Sequence, residues 1–281
     1  MIHRVGTRLL LLSILTVLVL STAVFGQTPP ARTTIPRTSW DGKPDFRGVW
    51  AGPGFSGKVG PGDTDEPILP NNYDPRIFPP FAPGGQAIYA PPSTGDLRFD
   101  DPLAVCMPIG MPRLIVTPLP HQFIHAPGVI VIAYEWFNTR RVIPLGAPNR
   151  PHMPYGEPGI LGDSIGWWEG DTLVIDTVNF REGTLDDTVD DPTRAKPFNG
   201  MRARWHSDAL HMIERIKYES PTVASYEFTI DDSKIWTKPW TVQKKMTFHP
   251  TWQLTEYVCD ENNRCREGKC HDADIQKNNP K

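Results

Sequence analysis

Short runs in which apolar and polar residues alternate fill the second half of the chain. From His121 onward these runs are rich in Val, Ile, Thr, Tyr and Trp, and turn-forming residues separate them. Such a pattern is typical of antiparallel strands joined by tight connections. The candidate strands are GVIVIAYEWF, RRVIPL, SIGWWEG, TLVIDTVNF, RARWHS, LHMIERIKY, SYEFTIDD, TVQKKMTFH and QLTEYVCDE.

A sheet built from so many short strands would leave unpaired backbone groups on its two edge strands. Closure into a barrel removes exposed edges altogether, and strong curvature brings the outer strands towards each other. We therefore predict an all-β fold in which residues 121–262 form one antiparallel barrel or strongly curved sheet. Its core should include Met212, Ile216, Tyr226 and Phe228, and residues 263–281 should form a polar C-terminal tail.

The chain before this region has a different composition. Proline and glycine, which number 31 and 23 in the whole chain, interrupt residues 27–120 so often that few regular elements fit there. Aromatic residues make up 10% of the chain, which argues against wholesale disorder. We predict that residues 27–120 form a long Pro/Gly-rich arm that wraps around the barrel or is partly mobile.

Residues 1–26 have the features of a secretory signal. Basic residues precede an uncharged apolar run from Leu9, and Val24 and Gly26 place small residues before a cleavage site. The alternative is an uncleaved anchor, because the run approaches the roughly 20 residues that span a bilayer. We expect cleavage, a periplasmic or secreted location, and no membrane contact afterwards.

All four cysteines follow the signal segment: Cys106, Cys259, Cys265 and Cys270. An even number in an exported protein favours two disulfides, although the sequence leaves three pairings open. We expect Cys106 to pair with Cys259, which leaves Cys265 and Cys270 to close a small polar loop. A zinc site that includes His271 is the competing interpretation, but the short CxxC hairpins of structural zinc sites are missing.

Strand parity places two carboxylates among apolar side chains. Glu214 shares one face of its strand with Leu, Met, Ile and Tyr residues, and Asp176 shares a face with two valines and a phenylalanine. A carboxylate in such surroundings pairs with a cation or has a raised pKa, and both conditions occur at catalytic sites. The alternative is an internal salt bridge that only stabilises the fold. In either case we predict that each acid meets an arginine or histidine, with Arg141 and His206 as the expected partners.

The acids of GWWEGDT are expected to behave differently. Between Glu169 and Asp171 the sequence places Gly170, a residue that readily adopts positive φ in a tight turn. We predict that Glu169 and Asp171 form a solvated turn joining two strands, with a structural role only.

Histidines are concentrated near the predicted strands. They are His121, His125, His152, His206 and His211. The spacing HxxxxHxxE has no standard metal geometry, because residues five apart point to opposite faces of a strand. The open interpretations are a His-bound divalent metal, a general acid or base paired with Glu214, and hydrogen-bonded structural histidines. No metal ligands are assigned, and no motif requires a cofactor.

Charge and motifs exclude several classes of function. The formal net charge is −3, and there is no basic stripe with interleaved aromatics, so nucleic acid is not an expected partner. The chain has no GxSxG elbow, Gly-rich phosphate loop after a strand, HExxH or Cys–His protease signature. GDSIG resembles the serine-protease box GDSGG only superficially, because it lacks the second glycine pair and no matching His box precedes it.

Six segments together carry a family resemblance. They are GKPDFRGVW, CMPIGMPR, GDSIGWWEGDTLVIDTVNF, HSDALHMIERI, TIDDSKIWTKPW and EYVCDEN. Across nearly the whole chain after the signal, this combination resembles a group of secreted proteins of soil bacteria with a WEGDTLVVDT-like and an LHVVER-like box. The resemblance implies no particular activity. A likeness to lipocalin-like barrels, at the level of fold alone, implies a central cavity.

Two classes of function remain. The first is an exported enzyme that performs acid/base chemistry, as a lyase, isomerase or hydrolase, on a small organic molecule in the barrel cavity. The second is a non-catalytic carrier of an apolar or aromatic ligand. Ionisable groups that face inward favour the enzyme, because carriers line their cavity mainly with apolar groups. The expected catalytic residues, which should converge in one pocket, are Glu214, His206, Asp176 and Arg141. The residues expected to bind the substrate are Tyr155, His125, Glu135, Trp168 and Asn179.

Overall fold

The computed structural model describes residues 32–52, 79–92, 94, 96–117, 119–148, 150–153, 156–186 and 203–259. Strands dominate this part of the chain. The eleven described strands are β1 (Gly48–Ala51), β2 (His121–Ala126), β3 (Val129–Tyr134), β4 (Thr139–Pro144), β5 (Asp163–Glu169), β6 (Thr172–Val178), β7 (Gly183–Asp186), β8 (Arg204–His206), β9 (His211–Ser220), β10 (Val223–Asp231) and β11 (Trp240–Phe248).

Nine of these strands form one antiparallel sheet in the order β4–β3–β2–β1–β11–β10–β9–β6–β5. The outer strands approach each other where Leu145, which follows β4, forms a parallel bridge with Gly166 of β5. The amide of Gly146 donates to the Gly166 carbonyl at 2.9 Å. A side chain at Gly166 would lie 2.9 Å from both Ile143 and Leu145, so glycine permits the approach. The sheet is a nearly closed barrel, which confirms the predicted fold class.

Smaller elements lie outside this sheet. Strands β7 and β8 pair with each other in a separate two-stranded sheet. The described helices are short: α1 (Gly85–Tyr89) and α2 (Leu97–Asp100), with 3-10 turns at Pro102–Val105 and Trp136–Asn138. Among the described residues no helix has the length and apolar character needed to cross a bilayer.

The barrel core follows strand parity. Burial alternates along β9 and β10, and the predicted core residues Met212, Ile216, Tyr226 and Phe228 are all at most 3% exposed. The described parts of the arm contribute to the same core. Their fully buried apolar side chains are Phe46, Trp50, Tyr89, Met111, Leu114, Ile115 and Val116.

One predicted strand is wrong and three strands were not predicted. The described part of QLTEYVCDE, residues 253–259, forms no strand. Side chains of the β3–β4 connection bind its backbone instead: Glu135 accepts from the amide of Thr255 at 2.9 Å, and Asn138 donates to the carbonyl of Tyr257 at 3.1 Å. Strand β1 lies in the arm, β2 precedes the first predicted strand, and β7 has only four residues. Strands of four residues, such as β1 and β7, are set by their neighbours rather than by a local pattern.

The disulfide prediction is confirmed. Cys106 and Cys259 are joined, with their Cα atoms 5.7 Å apart and a sequence separation of 153 residues. The bond connects the arm to the segment after the last strand. Cys265 and Cys270, for which we predicted a second bond, lie outside the described residues.

Candidate functional site

A buried ion pair lies on the inner face of the barrel. The guanidinium of Arg141 on β4 faces the carboxylate of Glu214 on β9: Nη1 donates to Oε1 at 2.9 Å, and Nη2 donates to Oε2. The hydroxyl of Tyr226 also donates to Oε1. Glu214 and Arg141 are 0% and 2% exposed, respectively. The predicted pairing of Glu214 with Arg141 is therefore confirmed.

Two hydroxyl residues complete the inner network. Arg141 Nε donates to Ser164 Oγ on β5 at 2.9 Å, and Arg141 Nη2 donates to Thr177 Oγ1 on β6 at 2.6 Å. The Ser164 and Thr177 hydroxyls are 3.1 Å apart. Every polar branch of the guanidinium is thus engaged, as a buried charge requires.

Burial and neighbouring charges shift the pKa values of the groups in this network. Burial alone would lower the pKa of Arg141, but the Glu214 charge outweighs this effect and raises it. Burial and the Glu214 charge raise the pKa of Tyr226 well above its usual value. Burial raises the pKa of the neighbouring Tyr134 to about 12. The raised pKa values keep Arg141 protonated and the Tyr226 and Tyr134 hydroxyls neutral at neutral pH.

Asp176 lies on the opposite face of the sheet from this network. Its neighbour Thr177 points inward to Arg141, so by strand alternation Asp176 points outward. The prediction that Asp176 and Glu214 share one pocket is therefore wrong. The parity was correct, but β6 carries apolar residues on both faces, and parity alone does not say which face meets the core.

On the outer face, Asp176 meets two histidines. Oδ1 of Asp176 lies 2.7 Å from Nε2 of His211 on β9 and 3.7 Å from Nε2 of His152. Nδ1 of His152 lies 3.2 Å from Oδ2 of Asp163 on β5, which also accepts from the amide of Met153 at 2.7 Å. We call His211, Asp176, His152 and Asp163 the outer cluster. Asp176 does meet histidine, as predicted, but not His206 or Arg141.

The outer cluster is half-buried and charged. The side chains of His211 and Asp176 are 36% and 24% exposed. The hydrogen bond to Asp176 raises the pKa of His211, against the opposing effect of burial. Burial would raise the pKa of Asp176, but the hydrogen bond from His211 and the charges of His211 and His152 together lower it. His211 therefore carries a proton at a higher pH than an ordinary histidine does.

His206 belongs to neither cluster. It lies on β8, where Nδ1 is 2.9 Å from the Ser207 carbonyl and the ring packs edge-on against Phe180 at 5.8 Å. Burial lowers the pKa of His206, so the ring stays neutral. Its position near Phe180 and Gly183 indicates that it stabilises the small sheet rather than serving Glu214.

The predicted substrate-binding residues fall into three groups. His125 and Trp168 lie together, with ring centroids 5.8 Å apart. Glu135 and Asn179 hold loops instead: Glu135 accepts from the Thr255 amide, and Asn179 donates to the Gly156 carbonyl at 2.8 Å. The fifth, Tyr155, lies outside the described residues.

Sequence reasoning grouped His152 and His211 with the other histidines but assigned neither to a site, and it did not single out Asp163. Alternation along β9 could have separated His211 from Glu214, because the two residues fall on opposite faces of the strand. The missing information was the register that sets Asp176 beside Ile213, two residues from His211. His152 comes from a loop, and no periodic pattern predicts its position.

The predicted turn between β5 and β6 is confirmed. Gly170 has φ of 59° at its centre, and the side chains of Glu169 and Asp171 are 47% and 50% exposed. Glu169 pairs with Arg215 at 2.5 Å and Asp171 with Arg37 at 2.7 Å. Both acids are solvated structural groups.

No group of three or more His, Cys, Asp or Glu side chains within the described residues is arranged to hold a metal ion. No protein-family model, curated protein or solved structure matches the chain.

Proposed function

We propose that the protein is an exported enzyme that performs general acid–base chemistry on a small organic molecule, with His211 as the group that exchanges the proton. The observation that carries the proposal is the 2.7 Å hydrogen bond between His211 Nε2 and Asp176 Oδ1 on a half-exposed patch. A carboxylate on one ring nitrogen orients the imidazole and stabilises its charged form. The other nitrogen, Nδ1, makes no hydrogen bond within the described residues and is free to act on a bound molecule.

The rest of the outer cluster supports this assignment. Nε2 of His152 lies 3.7 Å from the same Asp176 oxygen, and Nδ1 of His152 lies 3.2 Å from Asp163. The charges of His211 and His152 favour the ionised form of Asp176, which in turn stabilises protonated His211. Asp176, His152 and Asp163 are positioning residues in this proposal.

The inner network is a poor candidate for the same chemistry. Glu214 is 0% exposed, and each of its oxygens already accepts from Arg141. A general acid or base must come within hydrogen-bond reach of its substrate. We therefore assign Glu214 and Arg141 to stability.

Export to the periplasm or medium is part of the proposal. The Cys106–Cys259 bond supports it, because disulfides persist mainly in oxidising compartments. The apolar run of residues 1–26 also supports it. The substrate is a small organic molecule, and the reaction belongs to the lyase, isomerase or hydrolase types that proton transfer can drive.

A generic proton-transfer probe tests the proposal without knowledge of the substrate. The compound 5-nitrobenzisoxazole opens to a coloured phenolate when a base removes its ring proton, and 4-nitrophenyl acetate reports imidazole-assisted hydrolysis. Rates should be measured across pH for the wild type and His211→Gln. The matched control is His249→Gln, which changes another partly exposed histidine that stacks on Trp252.

We expect the wild type to exceed free imidazole at equal concentration with at least one probe. His211→Gln should lower that rate about 100-fold, in the range expected for loss of a general acid or base, whereas His249→Gln should not change it. The proposal is wrong if the wild type is no faster than imidazole, or if both histidine variants retain the full rate.

A further inference from the structure

A hairpin from the arm covers the region of the barrel that contains His125 and Trp168. Arg37 and Pro44 form an antiparallel bridge, and the Thr38 amide donates to the Lys43 carbonyl at 2.9 Å. We call residues 37–44 the cap hairpin. Its Trp40 ring packs edge-on against His125, with centroids 5.3 Å apart. The hairpin thus closes over an inward-facing histidine.

Three ring nitrogens beneath the cap hairpin have no hydrogen-bond partner. They are Nδ1 and Nε2 of His125 and Nε1 of Trp168, and all three are inaccessible to solvent. His125 itself is only 3% exposed. Buried polar groups in folded proteins are almost always hydrogen-bonded, so three neighbouring unpartnered nitrogens point to a group that hydrogen-bonds to them.

The two residues are held in place by the sheet and by aromatic packing. His125 and Trp168 are each the penultimate residue of their strands, β2 and β5. Phe46 stacks on Trp168 with ring centroids 6.2 Å apart, and the rings of His125 and Trp168 are 5.8 Å apart. The sheet and the aromatic packing therefore fix the positions of both rings.

The available hydrogen bonds define the chemistry of the ligand. The Trp168 indole only donates, and a neutral imidazole donates from one nitrogen and accepts at the other. Burial lowers the pKa of His125, which keeps the ring neutral even though the Asp45 and Asp41 charges oppose this effect. The complementary group accepts two hydrogen bonds and donates one. The nearby carboxylates of Asp41 and Asp45 disfavour an anion.

We propose that the edges of the His125 and Trp168 rings, beside the cap hairpin, bind a neutral group that donates one hydrogen bond and accepts two, such as a carboxamide or alcohol on an aromatic ring. The Trp40 ring, which is 38% exposed and packs against His125, suits the aromatic part. This binding site goes beyond the proposed acid–base function and does not depend on it.

Access requires only that the cap hairpin moves. Its fastening contacts are Arg37 with Asp171, at 46% and 50% side-chain exposure, and Lys43 Nζ with the Gly170 carbonyl at 3.1 Å. Exposed contacts of this kind contribute little to stability. Weak contacts therefore hold the cap hairpin to the turn between β5 and β6, and a ligand can break them.

Benzamide is the probe for this site. Nitrogen-15 labelled full-length protein should be titrated with benzamide, and the indole N–H signal of Trp168 assigned by its loss in Trp168→Phe. Benzoate serves as the charged control, and Trp252→Phe, at an exposed tryptophan, serves as the matched variant. Equilibrium dialysis of the same samples gives the dissociation constant.

We expect saturable binding of benzamide with a shift of the Trp168 signal, and no binding of benzoate. Trp168→Phe should weaken binding about tenfold, as expected for one lost hydrogen bond to a buried group, and Trp252→Phe should leave it unchanged. His125→Phe should weaken binding at least as much. If His125→Phe fails to fold, Trp168→Phe decides the question.

Two results would overturn the inference: no shift of the Trp168 signal up to the solubility limit of benzamide, or equal affinity in the wild type and Trp168→Phe. The first result would mean that only water reaches these nitrogens. His211→Gln should bind benzamide as the wild type does, so failure of this site and failure of the acid–base proposal give different results.

Discussion

The inner network and the outer cluster each pair an acid with a cation, on opposite faces of strands β6 and β9. They differ in burial and in the hydrogen bonds that their acids accept. On the inner face, Glu214 is fully buried and its carboxylate is saturated by Arg141 and Tyr226. On the outer face, Asp176 and His211 are part-exposed and form a pair with one free ring nitrogen. Burial makes a charged pair indispensable to the fold, and partial exposure leaves a pair able to titrate and to meet a ligand.

The largest difference between the clusters should appear in stability. Glu214→Gln preserves the shape of the side chain but leaves the buried Arg141 charge uncompensated. We expect a loss of about 3–5 kcal/mol in the free energy of unfolding, measured by urea denaturation. Probe turnover per folded molecule should stay unchanged.

Glu169→Gln is the matched control, because it removes the acid of the exposed pair with Arg215 and should cost far less stability than Glu214→Gln. Similar losses for the two variants would contradict the assignment of Glu214 to stability. So would loss of activity in folded Glu214→Gln.

Histidines on the two faces should give opposite responses to acid. Burial lowers the pKa of His121, on the inner face of β2, to about 3. An unfolded histidine, with a pKa near 6.5, binds protons before the folded one does, so His121 makes stability fall as the pH drops below about 6.5. The expected contribution is about 2 kcal/mol between pH 6.5 and pH 5.

Denaturation curves of His121→Phe at these two pH values test this effect. The variant should lose less stability on acidification than the wild type does, whatever its absolute stability. An equally steep pH dependence in both proteins would show that His121 does not cause the loss of stability in acid.

Loss of the outer pair should have the smallest effect on stability. Asp176→Asn should change the free energy of unfolding by less than about 1 kcal/mol near pH 6, because exposed pairs are screened by solvent. The raised pKa of His211 means that the pair stabilises fully below about 6.5 and loses this effect as pH rises through the folded value. The lowered pKa of Asp176 removes the effect again as pH falls through its own folded value.

Thermal unfolding of Asp176→Asn from pH 3 to pH 9 checks this window. A loss as large as that of Glu214→Gln would show that the outer pair is also a structural anchor.

The Glu214–Arg141 pair could be predicted from the sequence, whereas Ser164 and Thr177 of the inner network and most of the outer cluster could not. Alternation along β9 placed Glu214 among core residues, and its need for a cation pointed to Arg141. Alternation failed for Asp176, because β6 is apolar on both faces. The position of His152 depends on a loop, and that of β1 depends on pairing with β2 and β11 on both sides. Local patterns thus specify which residues share a face of one strand. Strand register and the positions of loops decide which residues from different elements come into contact.

The most direct test of the difference between the inner network and the outer cluster is an NMR titration. The histidine ring signals are followed against pH in the wild type and in Asp176→Asn. His211→Gln identifies the His211 signal. We predict that His211 titrates above the ordinary histidine value of about 6.5 in the wild type, and that its midpoint falls in Asp176→Asn. A His211 midpoint at or below about 6.5 that Asp176→Asn leaves unchanged would contradict the central claim that the outer face holds the acid–base pair.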